Sequence, residues 1–273
     1  MRFTKMEGAG NDYVYVDLFE ESVDDPEALA RAVSDRHKGI GADGLILLAP
    51  SEIGDVRMIM FNADGSRSQM CGNGVRCLAR LARTRGRTRN NPVRVETDAG
   101  IKVVELLKDG ARADMGAPSL EPRRVPVLLD GPRAVEVPID VAGRSFEMTC
   151  VSMGNPHAVI FVDDVDRLDV PKYGPLLENH ELFPERVNAS FVQVLGKDRV
   201  RQRTWERGSG ETQACGTGAC AVCVAGVVTG RTGPRITSRL PGGELVLEWD
   251  GKGSVFMTGP AVEVFTGEWP GGM

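Results

Sequence analysis

The sequence predicts an α+β chain of two pseudo-symmetric halves, each wrapping strands around a central helix. Three observations point there. The stretch from Asn62 to Ala79, centred on Cys71-Gly-Asn-Gly, occurs again from Glu206 to Cys223, centred on Cys215-Gly-Thr-Gly. The same offset of 144 residues lays Gly10-Asn11 on Gly154-Asn155, Val56-Arg57 on Val200-Arg201 and Phe61-Asn62 on Trp205-Glu206. A register kept over so much of the chain marks a duplication. Short apolar runs also outnumber helical ones, with one long helical pattern per half. The halves fall at residues 1–115, with 261–273 returning to it, and at 116–260.

Strands are expected at 2–8 and 13–17, separated by a turn holding Gly8, Gly10, Asn11 and Asp12. Asp24, Asp25 and Pro26 open an amphipathic helix through about Arg36, because proline suits the first helical turn and acids suit its positive end. Gly39 to Gly44 is a loop into an apolar strand, 45–49, and 56–62 is a strand ending in the first cysteine loop. From about Asn73, Val75, Leu78, Ala79 and Leu81 follow helical spacing. Arg80, Arg83, Arg85, Arg87 and Arg89 read as a solvated surface at that helix's C-terminal end. Strands near 93–98, 101–107 and 111–115 complete the half, and the proline-rich stretch Pro118 to Pro132 crosses to the next. There, strands at 144–152 and 157–163 flank Gly154-Asn155-Pro156, and a short helix is expected at 176–181. Strands at 189–195 and 199–205 lead into the second cysteine loop, then a helix at 217–228 capped by Gly230. The last strand, 261–265, is expected to return to the first half.

Composition narrows the function. Hydrophobic content of 41% and charged content of 26% are those of a soluble globular chain. A net charge of −5 and a pI near 5.4 argue against nucleic acid or an anionic membrane as partner. The chain enters folded-looking sequence without an apolar leader, and its apolar runs are too short to span a bilayer, so the cytoplasm is the expected location. Cysteines stand at 71, 77, 150, 215, 220 and 223. In a cytoplasmic chain they serve packing, metal binding or chemistry rather than disulfide staples.

Only Cys71 and Cys215 are duplicated. Each ends a strand in Cys-Gly-x-Gly just before a helix, where glycines let backbone amides approach a ligand and the helix start supplies unpaired donors and partial positive charge. Such a loop can hold a carboxylate, and the cysteine beside it is expected to ionise below its usual pKa of about 8.5. Two such loops would aim two thiols into one cleft between the halves from opposite sides. That arrangement suits stereoinversion: one thiolate takes a proton from one face of a carbon and the other thiol returns one to the opposite face. Asn11, Asn62, Asn155 and Asn188 lie at turns or strand ends near these loops, and Glu206 with Arg207 can meet an ammonium and a second carboxylate. His157 and Glu206 are the nearest candidates for setting thiol ionisation.

Gly8-Ala-Gly-Asn-Asp, Gly39-Ile-Gly-Ala-Asp, Phe61-Asn-Ala-Asp-Gly-Ser, Cys71-Gly-Asn-Gly, Gly154-Asn-Pro-His and Glu206-Arg-Gly-Ser-Gly-Glu-Thr-Gln-Ala-Cys-Gly-Thr-Gly together resemble the diaminopimelate epimerases over nearly the whole chain. The resemblance implies cofactor-independent interconversion of LL- and meso-2,6-diaminopimelate, in lysine and peptidoglycan precursor synthesis, by a chain that is often a homodimer. It implies Cys71 and Cys215 as the acid–base pair, and Gly72, Asn73, Gly216 and Thr217 as binders of the reacting carboxylate. Asn11, Asn62, Asn155, Asn188, Glu206 and Arg207 become substrate contacts. It implies no metal, no nucleic acid and no membrane partner. Some members carry a glutamine where this chain has Gly44, so water or a neighbouring group is expected to substitute there.

Three other readings compete. Cys215, Cys220 and Cys223 have the Cys-x4-Cys-x2-Cys spacing of a plant-type iron–sulfur site, but no fourth cysteine follows and two of the three fall in a helical run. Cys71 and Cys215 could form a reversible disulfide in a redox sensor. A racemase of another amino acid, such as proline, is the nearest enzymatic rival, against which Glu206-Arg207 argues for a substrate with a charged far end. Cys77, Cys150, Cys220 and Cys223 read as packing residues.

Overall fold

The computed structural model describes residues 1–270, so the last three residues of the expected returning segment lie outside the described part. The chain forms two compact units, one of residues 1–114 with 258–273 and one of residues 115–257.

In the first unit, β1 (Arg2–Gly8) and β2 (Asn11–Asp17) form a hairpin that pairs Gly8 with Asn11. Its two turn residues, Ala9 and Gly10, both have positive φ, 56° and 85°, the backbone that matches a two-residue hairpin to strand twist. Helix α1 (Pro26–Ser34) is capped by Asp25, which accepts the Ala28 N–H at 2.9 Å. It ends short of the expected Arg36, because the Asp35 carboxylate accepts the N–H groups of His37 and Lys38 and turns the chain. β3 (Gly44–Ala49) is buried on both faces, parallel to β2 and antiparallel to β4 (Val56–Asn62). The two-residue β5 (Arg67–Ser68) folds back on β4 and leads to α2 (Gly72–Thr84). β6 (Val93–Thr97), β7 (Gly100–Leu107) and β8 (Gly110–Asp114) extend the sheet, β6 lying parallel to β4.

The arginine run is not the solvated surface its spacing suggests. Half-buried Arg80 donates to the carbonyls of Leu107 and Gly110 at 2.8 and 2.6 Å, supplying donors where β7 turns into β8. Arg87 is paired with Asp17 at 2.8 Å and with Glu20, and Arg85 donates to Thr4. Only Arg83 and Arg89 of the five are simply exposed side chains on the helix end and the loop beyond.

The second unit repeats the plan. β9 (Val137–Val141), which the sequence reading lacks, pairs with β10 (Arg144–Ser152); its Pro138 sits on an outer strand, where a missing donor is tolerated. β11 (Pro156–Phe161) is antiparallel to β10 and parallel to β12 (Asn188–Gly196). Between them α3 (Val170–Glu178) begins earlier than the expected 176–181, because Asp169 caps it and Pro171 fits its first turn. Gly174 is required there: a Cβ would stand 2.5 Å from the Trp205 ring. β13 (Arg199–Glu206) is antiparallel to β12, and β14 (Gly210–Glu211) folds back on it. Helix α4 (Gly216–Val228) follows, then β15 (Arg235–Leu240), parallel to β13, and β16 (Gly243–Glu248).

The order of parallel and antiparallel pairings is therefore the same in both units, and α2 and α4 are both 13 residues long. α4 is apolar on all sides and almost wholly buried among β10, β11, β12 and β16, as a helix enclosed by strands must be. Gly230, with φ +66°, ends it as expected. After β17 (Phe256–Gly259), β18 (Val262–Glu268) pairs antiparallel with β1, from Arg2–Glu268 to Glu7–Val262.

Candidate active site

The first cysteine loop puts Cys71 at the N-cap of α2. Its half-buried sulfur accepts the Gly74 N–H at 3.4 Å and the Tyr13 hydroxyl at 3.6 Å, and its S–H points to Asn11 Oδ1 at 3.8 Å. At Gly74 a Cβ would lie 2.6 Å from the tip of the Ile46 side chain packed beneath the helix start, so a larger residue there requires Ile46 to move. Tyr15 donates to the Gly74 carbonyl at 3.1 Å and ties the same turn to β2. Asn11 joins the loop through its amide, accepting from Asn73 Nδ2 at 3.0 Å and donating to Asp43 at 2.7 Å. Asn62 instead closes its own turn, donating from the side chain to Ser66 Oγ at 3.0 Å and from the backbone to Ser66 O at 2.8 Å.

The second loop has the same local geometry. Cys215 caps α4, and its sulfur accepts the Gly218 N–H at 3.3 Å, with the Thr217 hydroxyl 3.7 Å away. Asn155 donates to Thr217 at 3.3 Å and faces His157 Nε2 through Oδ1 at 3.0 Å. Asn188 accepts the Arg207 N–H at 2.9 Å and donates to the Pro156 carbonyl at 2.7 Å, fixing the end of β13 against the start of β11. The Arg207 guanidinium donates to Glu185 O, and Glu206 accepts from the Thr212 hydroxyl. In each unit the start of the helix brings together backbone amides that no preceding turn can satisfy.

Electrostatics correct the expectation of an easily ionised thiol at Cys215. Burial pushes its pKa well up, and the negative charge of Glu206 adds to that. The donors Thr217 and Gly218 act in the opposite sense and lose. At 3% exposure, withdrawal from water outweighs the partial charge of a helix start. His157 is fully buried, and burial with the positive charge of Arg207 pushes its pKa down to about 3. It is therefore a neutral ring whose hydrogen bond goes to Asn155, not a cation placed to favour a thiolate. Cys77, Cys150 and Cys223 are pushed up to about 12, chiefly by burial, the state of packing thiols. Cys220 and Cys223 lie inside α4 among buried neighbours.

The family model described as diaminopimelate epimerase matches residues 3–121 and 149–264, spanning both cysteine loops and Asn11, Asn62, Asn155 and Asn188. The chain belongs to the diaminopimelate epimerase family. The diaminopimelate epimerase of Acetivibrio thermocellus is 53% identical over 98% of each chain. That of Desulforudis audaxviator is 54% identical over 98% of this chain and 99% of its own. Among solved structures, a probable proline racemase from Agrobacterium radiobacter covers 98% of this chain and 92% of its own, with a TM-score of 0.69 at 16% identity. A phenazine biosynthesis protein of the PhzF family from Bacillus anthracis covers 97% of both, with a TM-score of 0.67 at 16% identity. These two establish a shared fold.

The space around Gly44 is closed. A Cβ there would stand 2.2 Å from the Phe61 carbonyl oxygen, so this backbone admits no side chain at all. By the 144-residue offset, Gly44 is the counterpart of Asn188, and the polar group is present in one half only. Tyr13, Thr212 and Asp43 join the loops without being among the expected site residues. Tyr13 could have been found, since the repeat lays it on His157. Thr212 falls on Ser68 in the repeat and Asp43 closes the Gly39-Ile-Gly-Ala-Asp motif, but what each touches arises only from folding.

Proposed function

We propose that this chain interconverts LL- and meso-2,6-diaminopimelate without a cofactor, by proton transfer at one α-carbon between Cys71 and Cys215. The observation that carries the reading is the duplicated cap: two cysteines, each at a helix N-terminus, each accepting the N–H of the glycine three residues on, at 3.4 and 3.3 Å. Full-length identity above 50% to relatives named for this activity supports the substrate.

In one direction the Cys215 thiolate removes the α-proton while the Cys71 thiol delivers one to the opposite face, and the roles reverse for the return. Gly72, Asn73, Gly216 and Thr217 hold the α-carboxylate at the helix starts, where amides and dipole stabilise the negative charge that builds up as the proton leaves. Asn11, Asn62, Asn155, Asn188, Glu206 and Arg207 contact the substrate, Glu206 and Arg207 at its charged far end. Burial of Cys215 fits this chemistry, since a thiolate taken out of water is the stronger base toward a weakly acidic carbon. Glu206 and His157 act on that thiol differently, Glu206 by its charge and His157 through Asn155. Exposed Val262, Val264 and Phe265 on β18 offer an apolar face for a homodimer, and the chain works in the cytoplasm.

The deciding experiment incubates the reduced protein with LL-diaminopimelate in heavy water and no added cofactor. Meso product carrying deuterium at one α-carbon is the expected result. Absence of both exchange and product overturns the reading.

A further inference from the structure

Asp43, the last residue of the Gly39-Ile-Gly-Ala-Asp motif, stands immediately before β3. Its Oδ2 accepts from Asn11 Nδ2 at 2.7 Å and from the Asp12 N–H at 3.1 Å, and its Oδ1 accepts from Arg36 at 2.9 Å. An ionised carboxylate offers acceptors only, so the edge of the Asn11 amide that faces it must be the NH2. That leaves no choice for the other edge. Asn11 Oδ1 is turned to α2, accepting from Asn73 at 3.0 Å with the Cys71 S–H 3.8 Å away. In the second half the equivalent asparagine is held the other way round. Asn155 meets His157 with its oxygen at 3.0 Å and presents its NH2 to Thr217 at 3.3 Å.

A neutral buried ring can donate from Nε2 or from Nδ1. His157 Nδ1 has no hydrogen-bond partner, so donation from Nε2 leaves an unmet lone pair there rather than an orphaned N–H. This tautomer makes Asn155 Oδ1 the acceptor and turns its NH2 outward. The duplicated asparagines are thus clamped with opposite polarity, one by a carboxylate and one by an imidazole.

We propose that Asp43 is a positioning residue of the epimerisation site, holding Asn11 with its carbonyl oxygen toward Cys71 and Asn73 so that the two copies of the loop are inequivalent. The proposal rests on the function proposed above. A carbonyl beside the sulfur favours the protonated thiol, whereas a freed amide can turn its NH2 there and favour the thiolate. Charge is balanced across the cluster, Lys5 and Arg36 standing against Asp12 and Asp43; the Asp43 oxygen that Arg36 does not use is the one that holds Asn11 and the Asp12 N–H.

The test is a double-mutant cycle on turnover of LL-diaminopimelate. Asp43→Ala and Asn11→Ala are each expected to lower kcat/KM about 10- to 100-fold, with the double variant no worse than Asn11→Ala alone. Asp43→Asn, which keeps a carbonyl oxygen for Asn11, is expected to recover most of the loss. Losses that multiply, or an asparagine variant as impaired as the alanine one, overturn the proposal. Should Asp43→Ala not fold, Asp43→Asn against Asp43→Glu decides it, since Glu displaces the acceptor by a methylene and should be the worse of the two. A second readout needs no turnover. In a Cys215→Ser background, iodoacetamide should alkylate Cys71 about threefold or more faster in Asp43→Ala than in Asp43→Asn, and equal rates overturn the clamp. A parent protein that does not turn over diaminopimelate refutes the proposed function, and the alkylation comparison then judges the clamp by itself.

Discussion

Glu206 pushes the Cys215 thiol toward its protonated form, reinforcing the larger effect of burial. Glu206→Gln removes that charge while keeping an acceptor for Thr212, so the thiol should ionise at lower pH. In a Cys71→Ser background, where no second site thiol interferes, ultraviolet thiolate absorbance should begin to rise at a lower pH in the Gln variant. An onset that is unmoved, or that moves upward, means that Glu206 does not act on the thiol by charge.

The two cysteines should be individually indispensable. Cys71→Ala and Cys215→Ala each delete one of two proton-transfer groups, and such groups supply roughly 100- to 10,000-fold in rate. Turnover should fall by at least about 100-fold in either variant, while circular dichroism and thermal melting stay close to the parent. Parent-like turnover in one of them would leave a single-base mechanism as the only option.

Much of this architecture was legible in the chain because a duplication writes each structural demand twice. Cys71 and Cys215 stood out by register, and the starts of α2 and α4 followed from the glycines beside them. What stayed hidden depends on three-dimensional neighbours. α3 was misplaced because Pro171 and Pro175 mask helical spacing, although the first fits a helix start. The ionisation of Cys215 runs against the sign that its helix terminus suggests, since a helix terminus is visible in sequence and burial is not. Arg80 and Arg87 looked like surface charges, and their carbonyl and carboxylate partners lie far along the chain. Gly44 has no side chain to offer a substrate, and only the Phe61 carbonyl, 2.2 Å from where a Cβ would stand, explains why.

The crowding at Gly44 is itself testable. Gly44→Gln forces its Cβ into the Phe61 carbonyl at 2.2 Å and must push β3 from β4. A loss of about 2 kcal/mol or more in urea-unfolding free energy is expected, in the range of overpacked sites. Unchanged stability with raised affinity for substrate would show that the strand gives way easily.

His157 makes an acid-side prediction. Its folded pKa of about 3 lies below the ordinary value of 6.5, so the folded state prefers the neutral ring. Between these limits the unfolded chain binds a proton that the folded chain refuses. Stability is therefore retained above about pH 6.5 and falls as pH drops toward 3. His157→Gln should be less stable near neutrality yet lose less on acidification, which urea midpoints at a series of pH values would show. Parallel curves for parent and variant would exclude His157 as the source.

Beneath Cys215 the two halves have diverged in chemistry while keeping one backbone plan. Ser190, Gln202 and Thr204, all fully or nearly fully buried, stand at the repeat positions of Ile46, Met58 and Met60. Ser238 donates to Gln202 Oε1 at 3.0 Å, and Gln202 Nε2 donates to Thr204 at 2.9 Å, which lies 3.1 Å from Ser190. Each polar atom is satisfied by the next, so the network is stable only as a set. Gln202→Met, which copies the first half at its centre, takes away the acceptor of Ser238 and one of the two partners of Thr204, which keeps Ser190. An unmet buried hydroxyl costs about 1–3 kcal/mol, and urea unfolding should show a loss of at least about 1 kcal/mol. Because Ser190 also lies against Gly218, the residue that donates to Cys215, the same variant should slow turnover more than Met58→Gln would if only packing mattered. A Gln202→Met protein as stable as its parent would mean that the hydroxyls find other partners, and that this polar floor is not what holds the second loop in place.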